Sequence, residues 1–391
     1  MSSRKGPSAA DRQLIDHAQR HGVTVTAKQL ATWRRSRLLP GNIPGGGLGR
    51  GRGRTSRPTP ESFDLVLGLA RHAGPGKRPT DLALLLFAEG LPVPEATVRA
   101  AFRAAAALTV PGEGEGPEED LDERLDRLDD RLAAGGQTVT LVPARARRID
   151  EQIARVIREA AGAWPPAELA DLDHNPEPAS LTPQGAALAA AAATLSGSLP
   201  TAEIGTMLRA MTPDLPANPI ASLVETTEHD VPDIAAQILD TDGSLAITPS
   251  GDARDHLRRL ADTAPLEDLA TAWDTAQQVR HWALDLCERV ESELDAGRPG
   301  EAVQEWVCGR QMMSGLAVLE TLRDRRWSPS KAALSALGLL YQRERFGLLD
   351  GLVPGCRWHL LGMPGMLPPP VRDLLKDLID QGHAPAEPAT D

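Results

Sequence analysis

The chain is poor in the residues that most often carry chemistry. Its 391 residues include three cysteines, one tyrosine and four phenylalanines, and aromatics make up only 3% of the total. Cys287, Cys308 and Cys356 show no paired spacing. A disulfide framework is therefore excluded, and a reducing compartment fits. Cys356-Arg-Trp-His359 has the spacing of half a metal site without a second half; a structural cysteine beside a packed histidine is the simpler reading, and no metal is expected. No apolar run is long enough for a bilayer, since the alanine-rich GAALAAAAATL is too short and too weakly apolar. Residues 1–7 are polar and basic, so no signal peptide is expected and the location is read as cytoplasmic.

Catalytic signatures are missing as well. There is no Gly-x-Ser-x-Gly elbow and no His-Glu-x-x-His pair. Gly74-Pro75-Gly76-Lys77 lacks the spacing and the following hydroxyl of a phosphate loop, and the glycines of 45–53 never complete Gly-x-Gly-x-x-Gly. An enzyme is not expected, and no cofactor.

What is present is an uneven distribution of charge. The formal net charge is −12, yet residues 1–60 hold twelve Lys and Arg against Asp11 and Asp16 alone; that segment is +10 and the remainder −22. A basic head on an acidic body points to an anionic partner for the head.

The head also carries a helical pattern. Leu14, Ile15, Ala18 and His21 mark one face of a short helix that Gly22 ends as a left-handed cap. A second helix begins at Thr26, an N-cap residue with Gln29 at the capping-box position. Leu30, Trp33, Arg34, Arg37 and Leu38 fall on one side of it. Lys28, Gln29, Thr32, Arg35 and Ser36 lie elsewhere, and Pro40 is expected to stop it. Two short helices joined by a few residues read as a helix-turn-helix. The glycine-rich arginine ladder GGGLGRGRGRTSRP follows, and reads either as a cationic wing or as a flexible linker.

Val25-Thr26, Lys28, Leu30, Trp33 and the Leu38-Leu39-Pro40 exit resemble the recognition helix of the MerR-type winged helix-turn-helix regulators. Those regulators carry a Val-Ser start, an Arg-x-Leu-x-x-Tyr helix and a Leu-Leu-x-Pro exit. ESFDLVLGLARHA (61–73) and PTDLALLLFAEG (79–90) match the two helices after the wing, so the resemblance covers roughly residues 10–105. The loop before Thr26 and the wing are longer than is usual in the family, and Ala31 and Thr32 stand where Arg and Tyr are frequent. The resemblance implies docking on double-stranded DNA. Lys28 and Arg35 would reach phosphates or guanine edges, Gln29 would pair with adenine or be spent on the cap, and Thr32 would meet a base edge. Arg50, Arg52 and Arg54 of the wing would contact phosphates or the minor groove, and Arg57, grouped with the helix after the wing, would be a further DNA-binding residue. Arg52-Gly53-Arg54 is similar to the core of the AT-hook.

Residues 92–107 form one further helix, and PGEGEGPEED reads as a linker. Leu121, Leu125, Leu128 and Leu132 then repeat at heptad spacing, with Asp120–Arg124 and Glu123–Arg127 as favourable pairs. MerR-type proteins dimerise through a helix after the DNA-binding domain, so this seam is either a dimer interface or a helix packed on its own chain. QTVTLVP reads as a short strand.

The rest reads as helical: 149–163, 183–196, 201–211, 219–228, 231–239, 253–263, 266–296, 300–325, 328–346 and 370–381, with prolines between the segments. Trp164, Trp273, Trp282, Trp306, Trp327 and Trp358 lie here and fill a core or line a ligand pocket.

The expected fold is all-α. A disordered arm (1–9) precedes a MerR-like winged helix-turn-helix domain (10–108), and an acidic linker with the heptad helix (109–136) follows. Helical domains at 137–245 and 246–382 and a disordered tail (383–391) complete the chain. The expected function is that of a dimeric, nucleoid-associated transcriptional regulator whose body senses a small molecule or binds a protein. The alternative is a DNA-tethered architectural scaffold whose body recruits partners or self-assembles.

Overall fold

A computed structural model describes residues 7–47, 54–107, 142–159, 186, 201–211, 221, 253–310, 313–323, 327–352 and 365–376. The chain is all-α: among these residues one two-stranded antiparallel hairpin is the sole sheet, and every other regular element is a helix. No helix among them is long and apolar enough to cross a membrane. The heptad seam Leu121, Leu125, Leu128 and Leu132, the helix expected at 231–239, the 383–391 tail and all but the last two residues of the strand-like run 137–143 lie outside the described residues, and Val142 and Pro143 form no strand. So do all but Ala186 and Ala221 of the helices expected at 183–196 and 219–228.

The chain forms two compact units. The first comprises Met1–Thr109 together with Leu257–Asp274 and Trp327–Gly338. It therefore joins two pieces of chain from beyond residue 250 to the segment read as DNA-binding. The second comprises Val110–His256, Thr275–Arg326 and Leu339–Asp391.

In the first unit α1 spans Ala9–Arg20, α2 Ala27–Arg35, β1 Ile43–Gly47, β2 Arg54–Arg57, α3 Glu61–His72, α4 Pro79–Ala88 and α5 Glu95–Ala106. Helix α1 packs against α2, α3 and β2, and the contacts continue from α3 to α4 and from α4 to α5. Gly68 lets α3 approach α4 closely, because a β-carbon there would collide with the side chains of Leu86 and Leu91. Phe102 of α5 is fully buried between Phe87 and Trp273, both meeting its ring edge-on. The late segments are tied in by polar contacts too. Arg99 donates to the Ala261 carbonyl at 3.2 Å, Arg103 pairs with Asp262 at 2.9 Å, and Ser330 donates to Asp81 at 2.7 Å.

Further along, α6 spans Ala144–Glu159, α7 Thr201–Met211, α8 Ala253–Thr263, α9 Leu266–Asp295, α10 Glu301–Arg310, α11 Met313–Arg323, α12 Pro329–Leu352 and α13 Pro369–Leu374. Helix α6 begins five residues before the expected Ile149, because Ala146 continues the apolar stripe of Ile149 and Ile153 through a run that looks polar. The helix expected over 300–325 is two helices. A β-carbon at Gly315 would lie 2.5 Å from the Gly309 carbonyl oxygen and 2.7 Å from the Arg310 Cα, so α11 folds back on the end of α10 where only glycine fits. At Gly365, with φ +75, a β-carbon would lie 2.5 Å from the Cys308 carbonyl carbon, and the chain closes onto the same junction. Helix α12 runs on to Leu352 instead of ending at Phe346.

The core of the second unit draws on α6, α9, α10 and α11: Ala146, Ile149, Ile153, Leu286, Cys287, Val290, Trp306, Val318 and Leu319. Burial pushes the Cys287 thiol up to about 11, so it serves as a small apolar side chain. Trp282 and Trp306 are packed in this core and Trp273 in that of the first unit. The Trp282 ring N–H donates to Glu305 at 2.9 Å and that of Trp306 to Asp150 at 2.8 Å. These three rings are core, while Trp164 and Trp358 lie outside the described residues. Arg310, only 3% exposed, also converges on Asp150, with its Nη2 at 2.9 Å. One carboxylate thus neutralises a buried guanidinium and satisfies a buried indole.

Removing one partner of such a pair strands a buried charge, whereas replacing the pair by apolar groups is often near neutral. Asp150→Ala is expected to cost about 3 kcal/mol, at the lower end of the range because Asp150 is itself partly exposed. Combining it with Arg310→Met should restore most of that loss. Urea unfolding of both variants measures the difference; equal destabilisation would show that the pair does not set the stability here.

Candidate nucleic-acid interface

Local rules fix α2 at both ends. Thr26 Oγ1 accepts from the Gln29 N–H at 3.2 Å and the Thr26 N–H donates to Gln29 Oε1 at 2.8 Å, completing a capping box. Of the two uses open to Gln29, the side chain adopts the cap, and the oxygen that adenine pairing requires is taken. Helix α1 starts in the same way: Ser8 Oγ accepts from the Asp11 N–H at 3.1 Å and Asp11 reaches back to Ser8.

Helix α2 stops at Arg35, well before Pro40. The Arg37 N–H donates to the Arg34 carbonyl at 3.0 Å and the Leu38 N–H to the Trp33 carbonyl at 2.9 Å, with Leu38 and Trp33 both buried. That is a complete Schellman stop, and it requires a left-handed residue at Arg37, whose φ is +58. A left-handed non-glycine residue costs roughly 1–2 kcal/mol. A cation at an exposed helix C-terminus returns about 0.3–1 kcal/mol, so strain wins. Arg37 is also exposed, not on the core side as its spacing implied.

The stripe on the other face of α2 is as expected. Lys28, Thr32 and Arg35 are exposed at i, i+4 and i+7, while Leu30 and Trp33 are buried beneath. The stripe is about 10 Å long, the reach of about three base pairs. Thr32 Oγ1 donates to the Lys28 carbonyl at 3.0 Å, which spends its one hydrogen and leaves its oxygen an acceptor.

Arg34 holds the pieces together. Its Nη1 lies 2.7 Å from Asp11 Oδ1 and its Nη2 donates to Asn42 Oδ1 at 3.0 Å, which joins α2 to α1 and to the entrance of the hairpin. Sequence spacing placed Arg34 on the core face without revealing these partners. In the hairpin Ile43 pairs with Arg57, Pro44 with Ser56 and Gly47 with Arg54. The register shifts by one residue between Pro44 and Gly47, a bulge that the Gly45-Gly46-Gly47 run permits and that sharpens the local twist. Arg57 is exposed, and Arg54 lies in β2. Arg50 and Arg52 lie outside the described residues.

Some described cations of this unit are ion-paired and others, Arg12, Arg20, Lys77 and Arg78 among them, are not. Arg34, Arg71, Arg99 and Arg103 pair with Asp11, Glu89, Glu95 and Asp262. Lys28, Arg35, Arg37 and Arg57 make no ion pair among the described residues. Lys28 and Arg35 thus lie on α2, Arg37 at its exit and Arg57 on β2.

No protein-family model, curated protein or solved structure matches this chain.

Burial works against the Asp11 carboxylate, yet Ser8 and Arg34 together hold its pKa below the ordinary value of 3.8. The stability it contributes is present above that value and is lost as pH falls through the lowered one. The Asp11→Asn variant should therefore melt below the wild type at pH 7, with the gap closing below pH 3.8. Thermal melting of the two proteins across that window checks the sign; a gap that widened in acid would contradict the assignment.

Proposed function

We propose that the protein is a sequence-specific DNA-binding transcriptional regulator with a MerR-like winged helix-turn-helix head. Helix α2 enters the major groove, the β1–β2 hairpin acts as the wing, and the remaining helices sense a ligand or bind a partner. The observation that carries this reading is the exposed stripe Lys28, Thr32 and Arg35, whose two cations make no ion pair among the described residues, on a helix whose other face is locked in the core. A recognition helix needs both: a rigid mounting and an outward face of donors that match phosphates and base edges. The +10 charge of residues 1–60 supplies the long-range attraction. A head of this size reads few base pairs, so the protein binds paired half-sites as a homodimer, with Leu121, Leu125, Leu128 and Leu132 as the seam.

In the full chain, Lys28→Ala or Thr32→Ala should relax sequence preference more than Arg54→Ala does. Replacing Arg50, Arg52 and Arg54 together by Ala should flatten the salt dependence of binding by up to about three phosphate equivalents. Footprinting and salt titration on duplex DNA decide this. Equal losses on every sequence from all variants would remove α2 as the reading element, and long continuous footprints would favour a scaffold. Placing Asp at both Leu125 and Leu128 should abolish the dimer and tight operator binding. A folded variant that stays dimeric by light scattering would rule this seam out.

A further inference from the structure

We infer that Arg37 is a phosphate-contacting residue of this interface, held out from the exit of α2 by a backbone conformation that the fold adopts at its own expense; the inference rests on the DNA-binding reading above.

The molecule provides its own comparison. Three other helices end in the same pair of hydrogen bonds. In α1 the Gly22 N–H donates to Gln19 and the Val23 N–H to Ala18, both at 3.0 Å. In α4 the Gly90 N–H donates to Phe87 at 2.9 Å and the Leu91 N–H to Leu86 at 3.0 Å. In α9 the Gly297 N–H donates to Leu294 and the Arg298 N–H to Glu293, both at 3.0 Å. The left-handed residue is glycine each time, with φ of +76, +69 and +63. Only at α2 does the motif use another residue, and among the described residues Arg37 is the one non-glycine with positive φ.

Arginine lacks the short polar side chain with which Asn or Asp eases this conformation. Nor does the fold gain a contact from the side chain: it is exposed and makes no hydrogen bond or ion pair among the described residues. Its backbone, by contrast, is held at both ends. The N–H is committed to the helix stop, and the carbonyl accepts from Thr97 Oγ1 of α5 at 2.9 Å. A strained, doubly anchored backbone that presents an unpaired guanidinium is what a pre-positioned anion contact requires. Its place in the chain agrees: it sits between α2 and the hairpin, the two elements proposed to touch DNA. Binding there is expected to be to the sugar–phosphate backbone, which carries no sequence information.

The experiment uses the full-length protein, a random-sequence 30-base-pair duplex followed by fluorescence anisotropy over a salt series, and thermal melting. Arg37→Gly should raise the melting midpoint by a few degrees while weakening duplex binding several-fold and reducing the salt slope by about one. Arg37→Lys should melt like the wild type and keep the wild-type slope. Two results overturn the inference alone: an Arg37→Gly variant that binds with unchanged affinity and slope, or one that melts lower. A wild-type protein that does not bind the duplex overturns both this inference and the DNA-binding reading.

Discussion

One guanidinium holds the head in shape. Arg34 sits in the last turn of α2 and bonds in two directions, to Asp11 in the first turn of α1 and to Asn42 at the mouth of the hairpin. Of the three pieces it joins, α2 carries Lys28 and Arg35 and the hairpin carries Arg57. If α2 rolled on its axis by one residue, about 100° on helical geometry, Lys28, Thr32 and Arg35 would turn aside and Leu30 and Trp33 would be pushed into solvent. The apolar face resists that roll, while the Arg34 fork fixes the direction of the hairpin relative to the helix. Asp11 is thereby used twice, as a cap for its own helix and as counter-charge for the next.

The same economy governs the second unit. Asp150 serves both Arg310 and the Trp306 indole, and Glu293 accepts from the backbone N–H groups of Gly300, Ala302 and Val303 at the start of α10. A carboxylate from α9 thus satisfies three of the four orphan donors that open a neighbouring helix. The absence of a side chain at Gly300 lets that carboxylate approach, since a β-carbon there would lie 3.0 Å from its oxygen. Glycines at 315 and 365 bring the backbones at the α10–α11 junction of this unit into contact.

Much of this was legible because it is local. Thr26 and Gln29 announce their capping box, Gly22 its left-handed stop, and the spacing of Leu30 and Trp33 the buried side of α2. Ser8 and Asp11 carry the same kind of signal at α1, ahead of the apolar face that begins at Leu14. The exit of α2 was hidden for a physical reason: glycine is the residue that marks a left-handed stop, and arginine stands there instead. Pro40, the visible breaker, drew the boundary too late. The split between α10 and α11 was hidden in a similar way, because apolar periodicity runs through 301–323 and no proline marks the break. Partners more than a hundred residues apart, such as Phe102 with Trp273 or Arg310 with Asp150, leave no trace in a single sequence.

The late segments built into the first unit also bear on how the protein is made. Phe102 emerges from the ribosome long before Trp273, and the last piece of that unit ends at Gly338. At about 5–20 residues per second, the α5 face waits roughly ten to thirty-five seconds for Trp273 during synthesis. Through that interval the nascent head has its charged stripe but an open hydrophobic flank. Completion of the head is thus timed by translation of the body, and a chain that stalls early would carry a sticky, half-finished domain for chaperones to hold.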